Sequence, residues 1–224
     1  MHVADFSIGM LGANGIVGGG FGIAAGAGLS AVHRGSGQVA VCFFGDGATN
    51  KGTFHEALNF AAASALPVVY VCENNQYAQF TAIARTSSVA DLSVRAGSYG
   101  IEGMTLDGND VGAVHAATAR AVATAREGGG PTLLNCVTYR HGGHYVGDAE
   151  EYRDSAEVED WKHADPITRL ERAMIEADWL TGPAAQSVWA EASAEVEAAE
   201  TFAKASPEPD PATALDYVYT EPSS

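Results

Sequence analysis

Val39-Ala40-Val41-Cys42-Phe43-Phe44-Gly45-Asp46-Gly47 closes one apolar run of this 224-residue chain, and Pro67-Val68-Val69-Tyr70-Val71-Cys72-Glu73-Asn74-Asn75 closes the next. Each run is short and rich in β-branched or aromatic residues, the pattern of a strand buried on both faces. Between them Phe54, Leu58, Ala61 and Ala65 recur at helical spacing, and 26 residues separate Gly47 from Asn74. A strand–helix–strand unit of that length sets two parallel strands side by side, with both ends at one carboxyl edge. Open α/β sheets bind ligands at that edge. It would present the Asp46 carboxylate, the Asn75 amide oxygen and backbone amides freed by glycine. Those groups suit a hard divalent cation carrying a diphosphate.

Working outward, Gly103–Leu106 and Thr132–Tyr139 read as two further strands. Val111, Val114, Thr118, Ala121 and Ala125 mark a helix stopped by Gly128-Gly129-Gly130-Pro131. The alternation predicts an α/β fold: three α/β/α layers around a mostly parallel sheet, with helices added at the C-terminus. Those helices are Pro166–Ala177 and Ala184–Ala205, the second with a stripe of Trp189, Ala192, Val196, Ala199 and Ala203. Ser206-Pro207-Glu208-Pro209-Asp210-Pro211 then begins an extended tail. The predicted organisation is a main domain over residues 1–160, with helices and tail over 161–224 packing on it or on a partner subunit. Gly15–Val32 reads as a close-packed helix whose packing face holds Gly18, Gly22 and Gly26. Gly20-Phe21-Gly22-Ile23-Ala24-Ala25 matches a dinucleotide-binding GxGxxA string, but no strand precedes Gly20, and that reading is set aside.

Bulk composition excludes several classes. The net charge is −16, and residues 148–224 hold 5 Lys/Arg against 19 Asp/Glu, a net of −14. Such a surface repels nucleic acid. It serves either as a solvated helical face or as a docking surface for a basic partner domain. Neither a signal peptide nor a twenty-residue apolar span is present, so no membrane association is expected. Cys42, Cys72 and Cys136 all fall inside apolar runs. That pattern predicts buried thiols in a reducing cytoplasm and no metal cluster.

The paired strings Gly45-Asp46-Gly47 and Asn74-Asn75, each capping a strand, resemble the GDG…NN pattern of thiamine-diphosphate enzymes. The surrounding GDGATNKGTFHEALNFAAASALPVVYVCENNQYA is similar to the E1 alpha subunit of 2-oxo acid dehydrogenases, with pyruvate and acetoin dehydrogenases nearest. The resemblance runs from about Met1 to near Asp216. It implies thiamine diphosphate and Mg²⁺ as cofactors, with Asp46, the Asn75 side chain and the Tyr77 carbonyl as metal ligands. It also implies diphosphate contacts from the backbone amides of Gly47 and Ala48, at the start of the next helix, in the turn that Gly45 opens. Ala13-Asn14-Gly15-Ile16-Val17-Gly18 occupies the place of a loop that lies against the aminopyrimidine ring, which implies contacts from Gly15 and Val17.

The stretch Tyr139-Arg140-His141-Gly142-Gly143-His144 matches the family's mobile loop over the cofactor. It implies that Arg140 and His144 are catalytic, with His144 stabilising the thiamine adduct and assisting proton or acyl transfer. From the residues alone His141 is equally placed. Tyr152-Arg153 resembles a family pair just beyond this loop. Tyr145 and Glu151 stand where eukaryotic relatives carry regulatory serines, so phosphate control by that route is not expected. Family alpha subunits also carry a longer N-terminal region with a Tyr-Arg cofactor contact, which implies that a separate subunit supplies it or that the chain is a fragment. In the family the carboxylate facing the pyrimidine comes from the beta subunit, and the acids to hand here are Glu56 and Glu73. The implied activity is decarboxylation of a pyruvate-like 2-oxo acid, or cleavage of acetoin, with transfer of the acyl unit to a lipoyl E2. The implied assembly is an α2β2-type complex. Two other functions stay open: a split-subunit acyloin-forming or acyl-transferring thiamine enzyme of a biosynthetic pathway, and a non-catalytic interaction subunit.

Overall fold

The computed structural model describes residues 2–216 and 218. In chain order its elements are strands β1 (Val3–Asp5) and β2 (Met10–Ala13), helix α1 (Gly19–Arg34), β3 (Ala40–Gly45), α2 (Gly52–Ala63), β4 (Val68–Asn74), β5 (Tyr77–Ala78), β6 (Thr81–Ala82) and α3 (Ile83–Thr86). Then follow β7 (Glu102–Asp107), α4 (Val111–Arg126), β8 (Thr132–Val137), α5 (Ser155–Lys162), α6 (Pro166–Glu176) and α7 (Gly182–Ala205). The chain divides into two compact units, Met1–Leu170 and Glu171–Ser224.

The first unit is built on a parallel sheet of order β3-β4-β8-β7. The expected α/β/α layering is present. Along β4, Val68, Tyr70 and Cys72 face a core shared with Phe21 of α1 and Phe54, Leu58 and Ala61 of α2. Val69 and Val71 face the other way, against Ala121 of α4 with Leu134 and Cys136 of β8. Phe21 is fully buried, with its ring centroid 4.7 Å from Phe44 and 5.5 Å from Phe54 in edge-to-face contact. Burial of one such side chain contributes ~1.5–3 kcal/mol. The three cysteines are free and buried. Burial pushes the Cys42 thiol up to about 11.

Two elements differ from the sequence reading. The glycine-rich helix begins at Gly19 rather than Gly15, because Gly18 takes φ +87°, and it ends at Gly35 with φ +60°. Of the expected packing glycines Gly18 is crowded, a Cβ there falling 2.7 Å from Thr53 Oγ1, whereas at Gly22 and Gly26 an added Cβ would meet nothing within 4 Å. Within the helix the close approaches are at Gly20, where a Cβ would lie 3.3 Å from Cys42 Sγ, and Gly28, where it would lie 2.8 Å from Val68. The helix is apolar nearly all round, so periodicity could not choose the face. The second difference is a 3₁₀ turn, Asp46–Asn50, that separates β3 from α2. Gly47 and Ala48 therefore open that turn and not an α-helix, and the dipole of α2 begins further on, at Gly52.

In the second unit α7 is capped by Thr181, whose hydroxyl accepts from Ala184 N at 3.4 Å, and Pro183 sits in its first turn. Trp189 Nε1 donates to Glu171 Oε2 at 2.9 Å. A 3₁₀ turn, Pro211–Leu215, interrupts the expected extended tail. No helix among the described residues is long and apolar enough to cross a membrane.

Gly103→Ala should be strongly destabilising, because its Cβ would collide with the Ser93 carbonyl oxygen. Overpacking of that kind costs ~1–3 kcal/mol. Gly22→Ala, which meets no atom, should instead stabilise by ~0.5–1 kcal/mol through helix propensity. Urea denaturation of the two variants checks both signs.

Candidate active site at the carboxyl edge

The crossovers through α2 and α4 lie on opposite faces of the sheet, so strand progression reverses between β4 and β8. Ligands bind outside the carboxyl ends at such reversals. Pairing continues past the strand ends: Thr138 N donates to Asn74 O at 2.9 Å, and Arg140 N to Asn75 O at 3.4 Å. Register on the other side sets Gly45 opposite Glu73. The two quoted strings and the Arg140 segment are thus brought to one place by the ladder.

Asp46 is 1% exposed, and its Oδ2 has no hydrogen-bond partner among the described residues. Burial raises its pKa above the ordinary carboxylate value. The backbone N–H groups of Asp46 and Asn75 and the charge of Arg140 pull the other way without cancelling that cost. Gly47 is required by close approach, since a Cβ there would lie 2.6 Å from the Ala78 Cβ. The 46–50 turn can therefore press on β5. Asn75 Oδ1 accepts from Tyr77 N at 3.2 Å, which fixes the direction of its amide. The Tyr77 carbonyl accepts from Arg140 Nη1 at 3.4 Å, a long contact that leaves it a free lone pair.

Asn74, first of the asparagine pair, has a structural task. Its Nδ2 donates to Asn135 Oδ1 at 3.2 Å, and Asn135 Nδ2 donates to Thr105 Oγ1 at 2.9 Å. Thr105 Oγ1 in turn donates to Asp91 Oδ1. This relay across β4, β8 and β7 anchors the edge from below, and sequence reasoning missed it. Its signal was Asn135, a polar residue inside the otherwise apolar run of β8.

Gly15 and Val17 lie elsewhere on the same rim. They line a cleft of about 820 Å³ that Gly45 and Ala48 border from the sheet side. Among the described residues no Asp or Glu lines it. Glu56 faces a separate shallow groove between α1 and α2, and Glu73 is exposed on β4. His144 is exposed, and its ring meets Phe80 edge-to-face at 5.7 Å. His141 lies apart from it, with Nδ1 3.8 Å from Asp165 Oδ2. The structure therefore gathers Asp46, Gly47, Asn75, Tyr77 and Arg140, lines a cleft with Gly15, Val17, Gly45 and Ala48, and sets His144 on the turn that follows β5. Among the described residues no three His, Cys, Asp or Glu side chains cluster as a metal site.

The raised pKa of Asp46 fixes a sign. Ionisation costs more in the folded chain than in the unfolded one, so this group lowers stability as pH rises from its unfolded pKa through its folded one. Asp46→Asn should raise the melting temperature of the unliganded chain near neutral pH. The gain should vanish below about pH 4, where both states hold the proton. Thermal scans across pH check this.

Comparison with known proteins gives consistent matches. A model of the dehydrogenase E1 component matches residues 1–212. The alpha subunit of acetoin:2,6-dichlorophenolindophenol oxidoreductase from Bacillus subtilis is 44% identical over 223 residues, which cover 98% of this chain and 66% of that protein. Its counterpart from Cupriavidus necator is 44% identical over 220 residues, with the same coverage of 98% and 66%. The pyruvate dehydrogenase E1 component subunit alpha from Rhizobium meliloti is 37% identical over 211 residues, covering 94% of this chain and 61% of that protein. The chain thus spans roughly two thirds of the length of these curated relatives.

Proposed function

Because this chain belongs to the dehydrogenase E1 component family, we propose that it is the alpha subunit of a thiamine-diphosphate-dependent E1 enzyme that works with a beta subunit. The observation that carries this reading is the buried, unpartnered Oδ2 of Asp46 at the carboxyl edge. A carboxylate hidden from water needs a compensating charge, and a cation bound there supplies it. The residues present fit that group. Asp46 and the Asn75 side chain would hold Mg²⁺ through oxygen, with the Tyr77 carbonyl as a third protein ligand. The backbone N–H groups of Gly47 and Ala48, in the first turn of their 3₁₀ segment, would face the diphosphate.

Gly15 and Val17 would meet the aminopyrimidine ring in the cleft they share with Gly45. The carboxylate for that ring would come from the beta subunit, and no Asp or Glu among the described residues lines the cleft. When bound, thiamine diphosphate supplies the electron sink that stabilises a carbanion beside a carbonyl. Arg140 eases the charge on Asp46 and ties β8 to the β5 turn. The imidazole of His144 would exchange a proton with the carbonyl oxygen of the substrate. Two relatives at 44% identity carry acetoin in their names, which makes acetoin the first substrate to test and pyruvate the second. The acyl unit would pass to a lipoyl group on an E2 partner. An α2β2 complex is the assembly this reading requires, and free buried thiols fit a cytoplasmic setting.

Asp46→Ala should abolish Mg²⁺-dependent thiamine diphosphate binding by the assembled complex, and Asn75→Ala should weaken it about tenfold, ~1.4 kcal/mol. Calorimetric titration decides this, and unchanged affinity in Asp46→Ala contradicts the metal assignment. His144→Ala should leave cofactor affinity intact and slow turnover about a hundredfold, the scale of a lost acid–base group. Damage from His141→Ala with a silent His144→Ala would reverse the assignment of the two histidines.

A further inference from the structure

The 46–50 turn meets Ala78 at Gly47, and Arg95 takes hold of its other end. Arg95 Nη1 donates to the Thr49 carbonyl at 2.6 Å. Its Nη2 donates to Asn50 Oδ1 at 3.1 Å and to Ser87 Oγ at 3.2 Å. The remaining end of the Asn50 amide is also used, since Nδ2 donates to the carbonyl of Thr86, the last residue of α3, at 3.0 Å. Thr49 is fully buried and donates its hydroxyl to the Asp46 carbonyl at 2.7 Å, while Lys51 N donates to the Ala48 carbonyl at 3.0 Å. The carbonyls of Asp46, Ala48 and Thr49 are thus all taken by partners within the chain.

The residue that grips the turn is itself anchored. Arg95 lies in a 3₁₀ segment, Leu92–Tyr99, capped by Asp91, whose carboxylate accepts from Ser93 N at 2.8 Å, and closed by Gly100 at φ +68°. Leu92 and Ala96, on either side of Arg95, are buried in the core that Phe54 and Leu58 of α2 also enter. The guanidinium is half-buried, and its three acceptors are a carbonyl, an amide oxygen and a hydroxyl, all neutral. Among the described residues its charge is therefore not paired with a carboxylate. A partly desolvated cation without a counter-ion carries a cost that a nearby anion relieves.

We propose that Arg95 is a positioning residue for the diphosphate: its planar fork fixes the Asp46–Asn50 turn that offers the Gly47 and Ala48 amides, and its unpaired charge adds a positive field there. The inference rests on the reading of this turn as the diphosphate site. The amides of the turn make the contact with the anion, and Arg95 acts through them. Lysine would keep the charge and lose the grip, because one ammonium cannot serve acceptors on two segments in a fixed plane.

Calorimetric titration and hydrogen exchange on the complex assembled with the beta subunit test the proposal. The probes are thiamine diphosphate and inorganic pyrophosphate, each with Mg²⁺. In Arg95→Met both should bind about tenfold more weakly or worse, by the same factor, and the salt dependence of pyrophosphate binding should flatten. In the unliganded complex the amides of residues 47–51 should exchange about tenfold faster or more, while those of β4 and β8 stay at wild-type rates. Arg95→Lys should keep the wild-type salt dependence and show the fast exchange of Arg95→Met. Asn50→Ala, which removes one acceptor and keeps the guanidinium, should loosen the same amides to a smaller degree. Wild-type affinity for pyrophosphate in Arg95→Met overturns the proposal, and so do an unchanged salt dependence, wild-type exchange at 47–51 or equal acceleration in β4 and β8. If the wild-type complex binds no thiamine diphosphate the reading of the site falls, while the exchange comparison still decides whether Arg95 holds the turn.

Discussion

A carboxylate is buried at the mouth of the sheet with one oxygen unsatisfied among the described residues, and the rest of the site is arranged around that cost. Asp46 stands at the end of β3, where parallel pairing with β4 leaves it no route back to water. Neighbouring amides and the Arg140 charge reduce the penalty without removing it. A folded protein retains such a group at a functional edge, where strain and perturbed pKa values concentrate. On the proposed reading a bound cation would supply the compensation, so that folding stability would be surrendered for binding affinity at the same atom.

Holding that carboxylate in place takes two kinds of support. Beneath it the sheet is rigid, with β4 buried on both faces and Asn74, Asn135, Thr105 and Asp91 linked across three strands. Buried polar relays of this sort are worth their cost when every member is satisfied. Beside it the close approach of Gly47 and Ala78 presses the 46–50 turn onto the short β5–β6 hairpin, whose Tyr77 N–H is bonded to the Asn75 side chain. The third segment, residues 139–153, has little regular structure and borrows order from an aromatic cage. Tyr77 joins the two halves, its backbone N–H bonded to Asn75 and its ring in the cage around Arg153.

The sheet was legible in the sequence because β3, β4 and most of β8 are apolar runs, with glycine or asparagine closing β3 and β4. Strand bounds shifted by a residue or two, as expected where pairing and not composition decides the last bond. The Asp46 and Asn75 positions were legible for the same reason, since each closes a strand. What was not legible depends on contacts between distant segments. The packing face of α1 could not be read from a helix in which nearly every residue is small or apolar. The 3₁₀ turn at Asp46–Asn50 replaced an expected helix start because the chain must turn off β3 before α2 can lie on the sheet. Arg153 reads as a surface arginine until Tyr77, Tyr139 and Tyr152, 75 residues apart at their extremes, are brought around it. Asn135 gave a signal, a polar side chain in a buried strand, whose meaning waited on the register with Asn74.

The central claim is that Asp46 exists to hold a metal ion at this edge. Anomalous scattering from Mn²⁺, substituted for Mg²⁺ in crystals of the assembled complex with thiamine diphosphate, locates the ion without reference to activity. The account predicts a single anomalous peak at the carboxyl edge, about 2.1 Å from an Asp46 carboxylate oxygen and from Asn75 Oδ1. A peak elsewhere, or an Asp46 carboxylate still without a cation when the cofactor is bound, would contradict it.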